Sequence, residues 1–208
     1  ELKQALEQLC EAPHPTEIDH LLASMRRMQQ GIRFNDVEAM SKWLFPDIES
    51  PVYRFQLVRH AGLIFTHRGQ FSQAQDWFEL AAEILSQHPY WFSVIEKIQL
   101  ATAWGTFAFD ACDASLAEPS IRTAQAELSY APAAEKARFL GTCCQLSRLS
   151  GQPDEAVEAG RQSVSYTDQA LASEGGRDRN YLVHALLARA RSNPIAKGGD
   201  LAEAAEIL

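Results

Sequence analysis

Four groups of residues have types and spacings that could do chemistry. Cys10, His14, Asp19 and His20 are the densest set of metal-binding side chains in the chain. Their spacing fits no zinc pattern, and Pro13 and Pro15 make the stretch a loop with no fixed ligand geometry. They read as a surface loop and a helix start, with no metal. The adjacent Cys143 and Cys144 suggest redox chemistry. Neighbours on a helix point about 100° apart, which disfavours a disulfide between them, so both read as small packing residues. Cys112, His67 and Asp110 could be assembled on paper into nucleophile, base and acid. No Gly-x-Ser-x-Gly, Walker or Gly-x-Gly-x-x-Gly motif anchors such a site. The chain is therefore expected to be no enzyme and to need no cofactor. Trp43, Trp77, Trp91 and Trp104 could form an aromatic cage. Trp77 and Trp104 lie on apolar stripes, which leaves Trp91, just after Pro89, as the surface candidate.

Any such site has to be carried by helices. From Phe71 to Leu85 the residues Phe71, Ala74, Trp77, Phe78, Ala81, Ile84 and Leu85 recur with helical period, while Gln73, Asp76, Glu79 and Glu83 fall mostly on the wet side. No strict alternation runs long enough to argue for a strand. Thr16-x-x-Asp19 and Asn35-x-x-Glu38 read as helix starts before breaks at Gly31 and Pro46. The next helices are expected over 51–68, 71–87, 90–111, 116–130, 133–150 and 153–171. Ser115-x-x-Glu118 is expected to cap the fourth of these, with Pro119 in its first turn. Residues 173–177 read as a loop. A last pair begins near Asp178 and is broken from Asn193-Pro194 through Gly198-Gly199.

Composition narrows the class. The 46% apolar content suits a folded domain, and no apolar run approaches the roughly 18 residues of a membrane span. A net charge of −8 argues against direct nucleic-acid binding. Four cysteines without a Cys-x-x-Cys spacing fit a reducing, cytoplasmic setting. The chain opens Glu1-Leu2-Lys3 without Met and stops at Leu208 inside an apparent helix. It is expected to be a fragment of a larger protein.

A period of 43 residues organises the helices. Pro46, Pro89 and Pro132 are spaced by it, the next step falls on Gly175, and Gly62 matches Gly105. Three turns share one grammar: Gly69, Gly151 and Gly199 are each followed five residues later by Ala. The glycine permits the positive φ of a helix C-terminus, and the alanine lets the second helix come close. The units run over approximately 16–46, 51–89, 90–132, 133–175 and 178–208, forming one domain over 1–208. A fixed period of this size means stacked helix pairs, an all-α solenoid or superhelix of about five antiparallel pairs.

These residues resemble the tetratricopeptide (TPR) family of helix–turn–helix repeats. Ala61-Gly62-x-x-Phe65, Gly69-x-Phe71, Ala74, Phe78 and Ala81 stand at its Leu-Gly-x-x-Tyr, Gly-x-Tyr, Ala, Phe and Ala positions. The third unit keeps Gly105, Ala117, Ile121, Ala124 and Pro132, with Cys112 at the turn glycine. The fourth keeps Gly151 and Ala156 and has Cys143-Cys144 at the Leu-Gly pair. The 43-residue length exceeds the family's 34 and is similar to the sensor arms of MalT-type bacterial regulators.

The resemblance implies that the first helix of each pair lines a concave groove. The groove positions it implies are Gln56, Arg59, Leu63, Thr66 and His67, then Gln99, Thr102, Thr106 and Phe109, with Asp110 beside them, then Arg138, Gln145 and Arg148. Arginines on such a face could hold the acidic end of a protein or peptide by bidentate pairing. The expected function is a protein-binding scaffold or sensor arm of a bacterial signalling or regulatory protein. A small-molecule-sensing arm, or a self-association module using Leu201 to Leu208, are the alternatives.

Overall fold

The computed structural model describes residues 50–170 and 175–207, and every regular element among them is helical. The chain divides after Ser93 into two compact units. The unit at 16–46, with its two helix starts, and the group Cys10, His14, Asp19 and His20 lie outside the described residues, as does Trp43.

In the first unit α1 (Pro51–His67) and α2 (Phe71–Gln87) pack as a pair, followed by a 3-10 turn over Pro89–Trp91. Pro51 opens α1, where its missing N–H costs nothing. Phe55, Val58, Ala61, Ile64 and Phe65 of α1 are buried with Ala74, Phe78, Ala81 and Ile84 of α2. Phe55 meets Phe92 with ring centroids 5.1 Å apart, and Trp77 stacks on Phe65 at 6.4 Å. The helices approach this closely because Gly62 has no side chain. A Cβ there would lie 2.7 Å from the Phe78 ring.

The second unit contains three helix pairs. The first is α3 (Val94–Asp110) with α4 (Glu118–Glu127), the latter flanked by 3-10 turns over Ala114–Ala117 and Leu128–Tyr130. Next come α5 (Ala133–Leu149) with α6 (Pro153–Ala170), and α7 (Gly175–Ser192) with α8 (Lys197–Ile207). Each first helix also packs on the next first helix, α3 on α5 and α5 on α7. The repeated small residue sets these distances too. A Cβ at Gly105 would lie 2.3 Å from Thr142 Cγ2, and one at Gly160 would lie 3.2 Å from the Leu182 backbone.

One turn recurs three times. After α1, α3 and α5 the second residue beyond the helix has a left-handed backbone: Gly69 at φ 70°, Cys112 at φ 57° and Gly151 at φ 72°. The next amide donates to a carbonyl five residues back, Gln70 to Phe65, Asp113 to Ala108 and Gln152 to Ser147. The left-handed residue's own amide donates three residues back, Gly69 to Thr66, Cys112 to Phe109 and Gly151 to Arg148, and the two bonds together satisfy carbonyls that a helix end leaves open. Cys112 adopts the geometry without glycine's freedom, at a strain of about 1–2 kcal/mol. It is exposed and so gives up little packing. Cys112→Gly is therefore expected to stabilise the chain by about 0.5–1 kcal/mol, net of glycine's greater unfolded-state entropy. Urea unfolding of both chains measures it, and a less stable variant would contradict the strained turn.

Several sequence expectations are corrected. The first helix of the third unit starts at Val94 and not at 90, because Pro89–Trp91 forms a separate 3-10 turn. Ser115-x-x-Glu118 is not a capping box. α4 has Ala117 at its N-cap and no side-chain cap, while Asp113 caps the preceding 3-10 turn, its carboxylate accepting the Ser115 amide at 3.0 Å and the Ser115 hydroxyl at 2.6 Å. Residues 175–177, read as loop, begin α7. Gly198 and Gly199 lie inside α8, so Gly199 is no counterpart of the turn glycines. The preceding break is made by Asn193, whose side-chain oxygen accepts the amides of Ile195 and Ala196.

Candidate partner-binding face

Because first helices pack on first helices, equivalent positions of α3 and α5 fall on one face of the second unit. Their turn residues Cys112 and Gly151 are 39 residues apart, so Gln99 corresponds to Arg138, Thr106 to Gln145, and Phe109 to Arg148. The contacts bear this pairing out. The Arg148 guanidinium lies over the Phe109 ring, 5.7 Å from its centroid. Gln99 donates to Glu135 at 3.3 Å, and Arg138 pairs with the same carboxylate at 3.5 Å. Gln145 stands half-buried between Arg138 and Arg148 on α5.

Thr102 and Thr106 play a more local part. Their hydroxyls donate to the carbonyls of Ile98 and Thr102 one turn back, at 2.8 and 3.0 Å. Such bonds satisfy the hydroxyl within its own helix. Glu135 was missed by the sequence reading, although its place three residues before Arg138 was a usable signal. Tyr181 was missed as well. It sits beside Gly141, where a Cβ would come within 3.3 Å of its ring, and burial raises its phenol pKa above the ordinary value.

In the first unit Arg59 donates to Gln56 at 3.1 Å and also meets the His60 ring nitrogen at 3.3 Å. Arg59 is buried, and Thr66 is 2% exposed with its hydroxyl on the Gly62 carbonyl. Leu63 and Gln56 are half-buried, and His67 is exposed at the end of α1.

Charge is divided between the helices of the α5–α6 pair and of the first unit's pair, whereas α3 and α4 each carry two carboxylates against one cation. α5 carries Lys136, Arg138 and Arg148 against Glu135, whereas α6 carries Asp154, Glu155, Glu158 and Asp168 against Arg161. In the first unit α2 carries Asp76, Glu79 and Glu83 and no Lys or Arg. Most described arginines of the second unit are engaged by carboxylates: Arg122 by Glu118, Arg161 by Glu203, Arg179 by Asp168 and Arg189 by Asp200. Arg148 differs. Among the described residues it is braced by a ring and pairs with no carboxylate.

The other candidate chemistries fare as follows. Desolvation pushes the thiol pKa of Cys143 up to about 12 and that of Cys144 to about 11, which leaves both as protonated, weakly nucleophilic packing groups. His67 belongs to the first unit, and Cys112 and Asp110 to the second. Trp91 is 63% exposed and its neighbour Tyr90 fully so, while Trp77 and Trp104 are half-buried. Among the described residues no helix is long and apolar enough to cross a membrane.

No protein-family model matches the chain, and no curated protein matches it. Two solved structures do. One shows kinesin light chain nearly identical TPR-like repeats from Podosopora anserina, at 18% identity and a TM-score of 0.63, covering 93% of this chain and 96% of that one. The other is BtubC (BKLC) from P. vanneervenii, at 13% identity and a TM-score of 0.70, covering 99% of this chain and 86% of that one.

Proposed function

From the premise that the chain has a TPR-like, all-α helical-repeat fold, we propose that it is a protein- or peptide-binding scaffold or sensor arm. It works in the cytoplasm as part of a larger signalling or regulatory protein. The contact face is that of the first helices. In the second unit it comprises Gln99, Thr102, Thr106 and Phe109 of α3 with Arg138, Gln145 and Arg148 of α5. Taken by itself, the first unit carries Gln56, Leu63 and His67 on its own first helix, beside the buried Arg59 and Thr66. The partner segment carries carboxylates. The observation behind this reading is Arg148, a guanidinium held over the Phe109 ring with no carboxylate of its own among the described residues. Ring stacking holds the fork in place before the partner arrives, so less rotamer entropy is lost on binding. The cationic first helix α5 beside the acidic second helix α6 gives the same polarity.

The test is a binding panel of acidic and basic peptides of equal length, read by fluorescence anisotropy. Acidic peptides are expected to bind and basic ones not. Arg148→Glu should weaken acidic peptides about tenfold to hundredfold, the range for a charge-assisted hydrogen bond. Phe109→Ala should weaken them about threefold through loss of the brace. Equal binding of both peptide classes, or full affinity in Arg148→Glu, would remove the basis for the proposal.

A further inference from the structure

The last described helix of the second unit buries few side chains compared with α5 and α6. α6 buries Ala156, Val157, Gly160, Ser163 and Thr167, and α5 buries Phe139 and Leu140 among others. α8 buries only Asp200 and Ala204. Ala204 joins a cluster with Val157, Leu182, Val183 and Leu186, and Ile207 packs partly against it. That is a small apolar anchor among the described residues.

Its own propensity adds little. Gly198 and Gly199 occupy its first turn with open space around each. The connection before it is Asn193 to Ala196, where Ile195 is 96% exposed and the Asn193 side chain bonds only its own backbone. Nothing in that connection pins the helix to its seat.

Charge supplies the rest of the attachment. Arg189 of α7 forks onto Asp200, with Nε 2.9 Å from Oδ2 and Nη2 on Oδ1, and Asp154 of α6 stands 3.5 Å from its Nη1. Arg161 of α6 forks onto Glu203, with Nε 2.9 Å from Oε1 and Nη2 on Oε2. The two forks differ in depth. Asp200 is 3% exposed and its arginine 16%, whereas Glu203 and Arg161 are 30% and 44% exposed. Salt screens the outer fork strongly and the inner fork far less.

We propose that α8 is a charge-latched helix, which the Arg189–Asp200 and Arg161–Glu203 forks hold on α6 and α7 and which leaves and rejoins its seat as a unit under ionic control while α5 and α6 stay folded. Release uncovers the part of the apolar cluster that Ala204 and Ile207 complete. The outer fork sets the salt response, and the inner fork sets the order of release.

Hydrogen exchange read by mass spectrometry over residues 201–207, with α5 and α6 as internal references, tests this. Raising NaCl from about 0.05 M to about 1 M shortens the screening length about fourfold and should speed exchange in α8 about threefold to fivefold. The references should not change. Arg161→Gln should speed α8 exchange by a similar factor at low salt and flatten the salt response. The charge swap Arg161→Glu with Glu203→Arg should restore protection. The proposal is overturned if α8 and α5 exchange at one common rate at every salt concentration. It is equally overturned if salt or Arg161→Gln accelerates α5 and α6 in step with α8, or if the swap fails to restore what the single change removed. The salt series on the unsubstituted chain needs no variant, so a misfolded variant would not leave the question open.

Discussion

Gly105→Leu should lower the stability of the second unit by about 3 kcal/mol or more, at the upper end of what overpacking costs. The reason is a single methyl group. A Cβ at Gly105 would lie 2.3 Å from Thr142 Cγ2, with Leu146 Cδ1 at 3.3 Å and Ile121 Cδ1 at 3.5 Å, so side chains of α4 and α5 both close on this point. Thr142 cannot simply turn away, because it is buried and its hydroxyl donates to the Arg138 carbonyl at 3.2 Å. A leucine would have to part α3 from α5. Gly105→Ala should already cost about 1–2 kcal/mol. Thr142→Ser removes the offending methyl, so the pair Gly105→Ala with Thr142→Ser should be less costly than the two single changes summed. That non-additivity, read from urea midpoints, separates a steric clash from a loss of backbone flexibility. Additive costs would place the two residues out of contact. Gly62→Leu should behave similarly in the first unit against the Phe78 ring, 2.7 to 2.9 Å from the missing Cβ.

These glycines show what a sequence can express. Gly62 and Gly105 stand out because close helix packing demands one residue type, and their spacing equals the proline spacing. The proline period itself misleads beyond that point. Pro89 lies in a 3-10 turn five residues before α3, whereas Pro132 is the N-cap of α5. Equal proline spacing therefore yields turn residues separated first by 43 and then by 39. The turn at Cys112 was legible by position and hidden by type, since the helix-ending turn places a left-handed backbone on a residue that disfavours it. Gly199 is the converse, a glycine with the right neighbours inside a helix. On the candidate face, the repeat resemblance aligned Phe109 with Arg148, and the Arg148 guanidinium lies over the Phe109 ring. The sharing of Glu135 by Gln99 and Arg138 was not legible. It depends on how far α3 is offset along α5, which no local pattern encodes. The Arg161–Glu203 fork, 42 residues apart in the chain, was invisible for the same reason.

Arg189→Met should be the most damaging change of charge in the described chain, and more damaging than Asp200→Ala. Removing the arginine leaves a carboxylate that is 3% exposed without its fork, and an uncompensated buried charge costs about 3–5 kcal/mol while it stays buried. Removing the carboxylate leaves a guanidinium that is better exposed and still 3.5 Å from Asp154, which should cost about 1–2 kcal/mol. The asymmetry carries a pH signature. In the unsubstituted chain the Arg189 hydrogen bond and charge hold the Asp200 pKa below its ordinary value, against desolvation. That contribution is complete above the unfolded-state carboxylate pKa of about 4 and is lost as pH falls through the lower folded value. In Arg189→Met both contributions of Arg189 are gone and desolvation is opposed only by the charge of Arg161, so the folded pKa rises from its lowered value and protonation relieves part of the penalty as pH falls. The gap between the two chains should therefore be widest near pH 7 and should narrow towards about pH 4. Glu203, held low chiefly by its hydrogen bond to Arg161, keeps that partner in both chains and so loses its contribution in acid in both, which leaves the gap between them to Asp200. Denaturant midpoints at the two pH values read the difference. Because α8 can lift from its seat and let water reach Asp200, global unfolding should register less than the full penalty, and the missing part should reappear as faster exchange in 201–207. Equal costs for Arg189→Met and Asp200→Ala at pH 7, or a gap that widens in acid, would mean that Asp200 is not held buried by this fork.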